Sequence, residues 1–123
     1  MVSFRINGRL DGLNEYTAAN RSNRFAGGKM KNKNETIVRI AIAEANCEKV
    51  KNYPCRVVFN WNDNGRRDID NVAFSKKFIL DALQKMEIIE NDNRKCITSL
   101  QDNFYIDKKN EFCDVVILEA GEY

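Results

Sequence analysis

Histidine is missing from this chain altogether, and proline occurs once, at Pro54. Without histidine there can be no serine–histidine or cysteine–histidine triad and no imidazole base, so any catalysis must rest on carboxylates and lysines. The four cysteines, Cys47, Cys55, Cys96 and Cys113, stand far apart with no C-x-x-C pair, which removes zinc-finger spacing. They read as reduced core filler. No stretch approaches the roughly 20 apolar residues that a membrane span requires, and MVSFRINGRL lacks the apolar run of a signal peptide. The expectation is a cytoplasmic protein with no membrane partner. A chain of 123 residues, 43% of them hydrophobic, has the size and apolar content of one domain, residues 1–123.

The net charge of +2 conceals a segregation of sign. Residues 1–53 carry ten Lys/Arg against five Asp/Glu, whereas residues 54–123 carry ten against thirteen. Much of the basic excess lies in NRSNRFAGGKMKNKN, where Arg21, Arg24, Lys29, Lys31 and Lys33 occur without one acidic residue. Such a segment is either a solvated loop or an arm that contacts nucleic-acid phosphates.

Periodicity supplies a coarse order of elements. VSFRI alternates as a strand through Val2, Phe4 and Ile6, and the basic stretch follows as a long loop. A helix starts near Lys31 and runs to about residue 50. CRVVFNW sets Cys55, Val57, Phe59 and Trp61 on one strand face, NDNGRRD is turn chemistry, and VAFSKKFILDALQKM is a second helix. ITSLQDNFYI and FCDVVILEA, separated by DKKNE, read as a hairpin. The fold class is α+β, with a mixed or mostly antiparallel sheet covered by two main helices.

The stretch GRRDIDNVAFSKKFILDAL raises the chemical question. Asp68 and Asp70 are close enough to repel unless a cation, a cap or an arginine compensates them. At about 100° per residue, Lys77 and Asp81 return to within roughly 20° of Asp70, while Val72, Phe78, Ile79, Ala82, Leu83 and Met86 fall on the opposite arc. Three ordinary readings compete. One acidic residue could cap the helix, Arg66 and Arg67 could neutralise both, and Lys77 with Asp81 could be a surface pair. A calcium loop over NWNDNGRRDIDN fails, because Asn60 and Asn71 replace its terminal acidic ligands.

RRDIDN, the following lysine, DAL, and NDN at 91–93 together resemble the RusA-type Holliday junction resolvases, small cellular and phage endonucleases. Their pattern is D-x-D-N, a lysine four residues before D-A-L, and an aspartate about eleven residues past that helix aspartate. The matching positions are Asp68, Asp70, Asn71, Lys77, Asp81 and Asp92, and GLNEYTAANRSNRFAGGKMK is similar to the N-terminal segment of phage members. In the family's compact form the lysine comes three residues after the asparagine, whereas Lys77 comes six after Asn71. The resemblance implies a RusA-like fold, a homodimer, and hydrolysis of branched DNA, the four-way junction foremost. It implies Asp68, Asp70 and Asp92 as ligands of Mg²⁺ or Mn²⁺ and Lys77 as the residue stabilising phosphate charge. Asn71 and Asp81 would support them from behind, with Asp81 orienting Lys77. Arg66 and Arg67, with the basic segment, would hold flanking phosphates. The alternatives are a DNA-binding module without catalysis and a metal-dependent nuclease acting on other branched nucleic acid.

Overall fold

The computed structural model describes residues 1–123 and is an α+β fold. Its elements are β1 (Val2–Asn7), α1 (Leu13–Ser22), α2 (Ala26–Ala45), β2 (Cys55–Asp63), α3 (Ile69–Ala73), α4 (Lys76–Lys85), β3 (Ile97–Ile106) and β4 (Phe112–Leu118). The four strands form one mixed sheet in the order β1-β4-β2-β3. β4 runs antiparallel to both β1 and β2, and β3 runs parallel to β2.

Alternation builds the core as the sequence suggested. Val2, Phe4 and Ile6 of β1, Cys55, Val57, Phe59 and Trp61 of β2, and Cys113, Val115 and Ile117 of β4 are all buried on one side of the sheet. Helix α2 contributes Val38 and Ile42 to this core, and α4 contributes Ile79, Ala82 and Leu83. The opposite side of the sheet is mixed, with Val58, Val116 and Leu118 half-buried beside the Arg5–Asp114 pair at 2.7 Å. Burial pushes the thiols of Cys47, Cys55 and Cys113 up, so these side chains stay protonated and behave as small hydrophobes.

Three expectations are corrected. The stretch 20–34 is not a loop, because α1 and α2 occupy most of it, with α2 beginning at Ala26 rather than near Lys31. The two helices are joined by a tight turn in which the Asn23 side-chain oxygen accepts the N–H groups of Phe25 and Ala26, both at 2.9 Å. A Cβ on Gly27 would run into the Asn20 side chain, so glycine permits the helices to approach there. Second, β3 and β4 are not a hairpin. β2 lies between them, and residues 107–111 cross its end, where Asp107 donates its N–H to the Asp63 carbonyl at 2.7 Å. Third, the helix expected to follow Asp70 is broken. Ser75, Lys77 and Phe78 donate to the carbonyls three residues back, those of Val72, Phe74 and Ser75, in 3₁₀ fashion. That geometry advances about 120° per residue instead of 100°. It therefore rotates α4 by roughly 60° relative to a continuous helix.

Candidate active site

Asp68 and Asp70 stand where the chain leaves β2 and enters α3. The turn before them is held by side-chain oxygens, Asp63 accepting the Gly65 N–H at 2.9 Å and Asn64 the Arg66 N–H at 3.0 Å. Gly65 has φ +77°, and a Cβ there would press on the Ile106 side chain, so the turn suits only glycine. Asp68 occupies the N-cap position of α3 in extended conformation, yet its side chain makes no capping bond. Asp70 accepts one hydrogen bond, from the Asn71 N–H at 2.9 Å.

Neither adjacent arginine neutralises the two aspartates. Arg67 turns inward and donates to the Leu10 carbonyl at 3.3 Å and to Asp63 at 3.4 Å. Arg66 is exposed and forms no ion pair. Lys77 is exposed as well, and Asp81 pairs instead with Lys31 of α2 at 3.5 Å. The expectation that Asp81 orients Lys77 is therefore corrected: with the helix rotated at Ser75, Asp81 faces α2. Asp68 and Asp70 remain two exposed carboxylates with free acceptor oxygens, and the capping and arginine readings do not account for them.

Asn71 has a role that its position in D-x-D-N did not disclose. It is buried, and its Oδ1 accepts the Asn14 N–H at 2.9 Å, capping α1 from a different element. Gly12 lies so close that a Cβ would collide with this side chain. Asn71 thus fixes the aspartate-bearing turn against α1. Asp11 does comparable work from the other side. Its backbone N–H donates to Asn34 at 2.9 Å, its carboxylate accepts from the Asn34 amide at 2.8 Å, and its carbonyl accepts from the Ser75 hydroxyl at 2.8 Å. Burial alone would raise the Asp11 carboxyl, but Asn34 and Lys33 together hold it below the ordinary carboxylate value. Nothing in the spacing of Asp11, Asn34 and Ser75 announced this junction, because Asp11 precedes α1, Asn34 lies within α2 and Ser75 separates α3 from α4.

Asp92 lies elsewhere. It is exposed in the turn between α4 and β3, flanked by Asn91 and Asn93, whose side chains bind backbone N–H groups of that turn. The turn sits at the start of β2, where Cys55 donates to the Cys96 carbonyl at 2.7 Å and Tyr53 accepts the Glu90 N–H at 3.0 Å. Asp68 and Asp70 follow the other end of β2, a strand of nine residues. At about 3.3 Å per residue, that separates the two places by roughly 25 Å. Within one copy no three acidic or cysteine side chains stand close enough to hold a metal ion.

The basic residues divide into two groups. Lys31 and Lys33 are held in ion pairs, with Asp81 at 3.5 Å and Asp11 at 3.0 Å. Arg21, Arg24 and Lys29 are exposed without ion pairs, Arg24 lying 4.7 Å over the Phe25 ring. No helix is long and apolar enough to cross a membrane.

Set beside known proteins, the chain matches no family model. No curated protein resembles it at a significant level.

Proposed function

We propose that the protein is a metal-dependent endonuclease of RusA type that cuts branched DNA, with the four-way junction as its substrate. The observation that carries this reading is the pair Asp68 and Asp70, two exposed carboxylates in one turn that neither a cap bond nor an arginine satisfies. The donor set suits Mg²⁺, a hard cation that takes one or two carboxylates and fills its remaining positions with water and substrate phosphate. When bound, the ion supplies Lewis-acid polarisation of the phosphoryl oxygen and a more acidic water.

The residues of the chain supply the rest. The Asn71 cap and the Asp11 junction hold the turn rigid, so the two carboxylates are presented without a search through rotating backbone. Lys77 offers an unpaired ammonium on the exposed side of α4 for charge that builds on the phosphate. Arg21, Arg24, Lys29 and Arg66 are the cations free to meet flanking phosphates. If Asp92 joins the same centre, the distance along β2 requires that it come from a second copy. A homodimer also suits a junction with approximate two-fold symmetry.

Mixed dimers test this arrangement. Asp70→Asn and Asp92→Asn chains, each inactive alone, should regain cleavage of one strand when combined, because one of the two shared centres is then intact. Failure of the mixture to cleave, with both variants dimeric and binding DNA, would place Asp92 outside the centre.

A further inference from the structure

The turn that leads into Asp68 has a second neighbour besides α1. Residues 107–111, the DKKNE segment joining β3 to β4, lie against it at the end of the sheet. Asp107 donates its N–H to the Asp63 carbonyl at 2.7 Å, and the Asn62 amide donates to the Asn110 carbonyl at 2.9 Å, so the two turns are fixed to one another. Each is also fixed within itself. Asn64 accepts the Arg66 N–H at 3.0 Å, and Asp107 accepts the Lys109 N–H at 2.9 Å. Between the turns opens a hollow lined by Asn64, Arg66 and Lys108 alone.

Arg66 and Lys108 are exposed, and neither forms an ion pair. The acidic side chains around them are engaged elsewhere: Asp63 with Arg67 at 3.4 Å, Glu111 with Arg9 at 2.7 Å, and Asp107 with N–H groups of its own turn. Two like charges thus face one hollow from segments distant in sequence, with no counter-charge in it, and they repel unless an anion joins them. The Asn64 oxygen is used within the turn, which leaves its amide N–H groups to point outward. A guanidinium fork, an ammonium and an amide together offer donors only, the chemistry that recognises a phosphate.

We infer that Asn64, Arg66 and Lys108 form one phosphate site, and that its ligand is a phosphodiester of the DNA strand crossing the Asp68 turn. Arg66 precedes Asp68 by two residues, so the backbone of the hollow lies within about 7 Å of the first carboxylate-bearing residue. Beyond Asp70 the chain is tied through Asn71 to α1, the helix that carries Arg21. Asp68 and Asp70 repel a DNA backbone, and a strand can lie across them only where cations on either side hold it. The position of the ligand beside the scissile phosphate rests on the nuclease reading above. The anion site itself does not.

Junction binding measured across a range of salt in metal-free buffer tests the site. The log–log slope counts phosphates neutralised, not cations present. Arg66→Ala, Lys108→Ala and the double variant should each weaken binding, and the double variant should lower the slope by about one, because both cations serve one phosphate. Its loss of affinity should depart from the sum of the two single losses, as expected of groups that share a partner. Lys108→Arg should keep the wild-type slope. Should the double variant unfold, Lys108→Glu decides instead, since a carboxylate in the hollow should weaken junction binding about 10-fold. An unchanged slope, a fall of about two with additive losses, a Lys108→Glu chain of wild-type affinity, or a wild type that binds no DNA would overturn the proposal. Saturable binding of inorganic phosphate at micromolar concentration, lost in the double variant while the DNA slope stays the same, would overturn the DNA ligand in favour of a free ion. A reduced slope without nicking once Mg²⁺ is added would leave the phosphate site standing and remove the enzymatic reading, whereas nicking with an unchanged slope would do the reverse.

Discussion

Lys76 reaches from the first residue of α4 to the Asp102 carboxylate on β3, an ion pair across the helix–sheet boundary with both side chains mostly shielded, 23% and 20% exposed. Asp102 accepts the Trp61 indole N–H as well, and the Lys76 ammonium lies 5.6 Å from the centre of the Phe59 ring. Its neighbour Lys77 is exposed and has none of these partners. The two adjacent lysines therefore divide structure from chemistry. Lys76→Ala should cost about 1–2 kcal/mol in urea unfolding, since it leaves a shielded carboxylate without its cation. Lys77→Ala should leave the unfolding midpoint unchanged but lower single-turnover cleavage by about 100-fold, the scale expected when one cation beside developing charge is removed. At matched stability, a Lys76 variant that loses cleavage while a Lys77 variant keeps it would reverse the assignment.

Asp68→Asn and Asp70→Asn should each abolish cleavage and keep junction affinity equal or higher, because they remove negative charge beside the DNA. Gel-shift titration alongside the cleavage assay checks both halves. Neither change should lower stability by more than about 0.5 kcal/mol, as these exposed side chains hold no element in place.

The exposed cations predict a measurable salt dependence. Replacing Arg21, Arg24 and Lys29 by Ala should reduce the log–log slope of junction binding against salt by roughly 2 to 3, close to one for each phosphate no longer neutralised. Replacing Lys31 and Lys33 should instead lower stability, since their charges serve Asp81 and Asp11. An equal reduction of slope in both variants would mean that the ion pairs open on DNA.

Acid should loosen the junction beneath the site. The Asp11 carboxyl titrates below its ordinary value in the folded chain. Its stabilising contribution is thus complete above the unfolded value, about 3.9, and disappears as the pH falls through the depressed folded value. Asp11→Asn should lower stability near neutrality, and stability should then fall less between pH 5 and pH 2 than in the wild type. Urea midpoints across that range decide it, and parallel curves would show that Asp11 contributes nothing through its charge.

The strand faces and the core side of α4 could be read from periodicity, because alternation and the helical repeat report which side is buried whatever lies beyond it. Val72, Phe78, Ile79, Ala82 and Leu83 are buried as expected, and Met86 packs at the margin. What could not be read was set by partners distant in sequence. The polar, glycine-containing stretch around Gly27 and Gly28 reads as a loop locally, yet it is helical where Asn34, Glu35, Val38 and Ile42 face the core. β3 and β4 read as a hairpin because they are adjacent in sequence, while β2 separates them in space. The phase linking Asp70 to Lys77 was lost at Ser75, a buried serine bound to the Asp11 carbonyl, which no local rule identifies. The aspartate pair itself was legible, and the structure adds that its oxygens are not spent on capping.

Cleavage of a synthetic four-way junction is the most direct measurement. Purified protein with Mg²⁺ should introduce symmetrically paired nicks in two opposing strands, and EDTA should abolish them without releasing the DNA. Binding without nicks at any Mg²⁺ or Mn²⁺ concentration, from a folded dimer, would contradict the account and leave a DNA-binding module in its place.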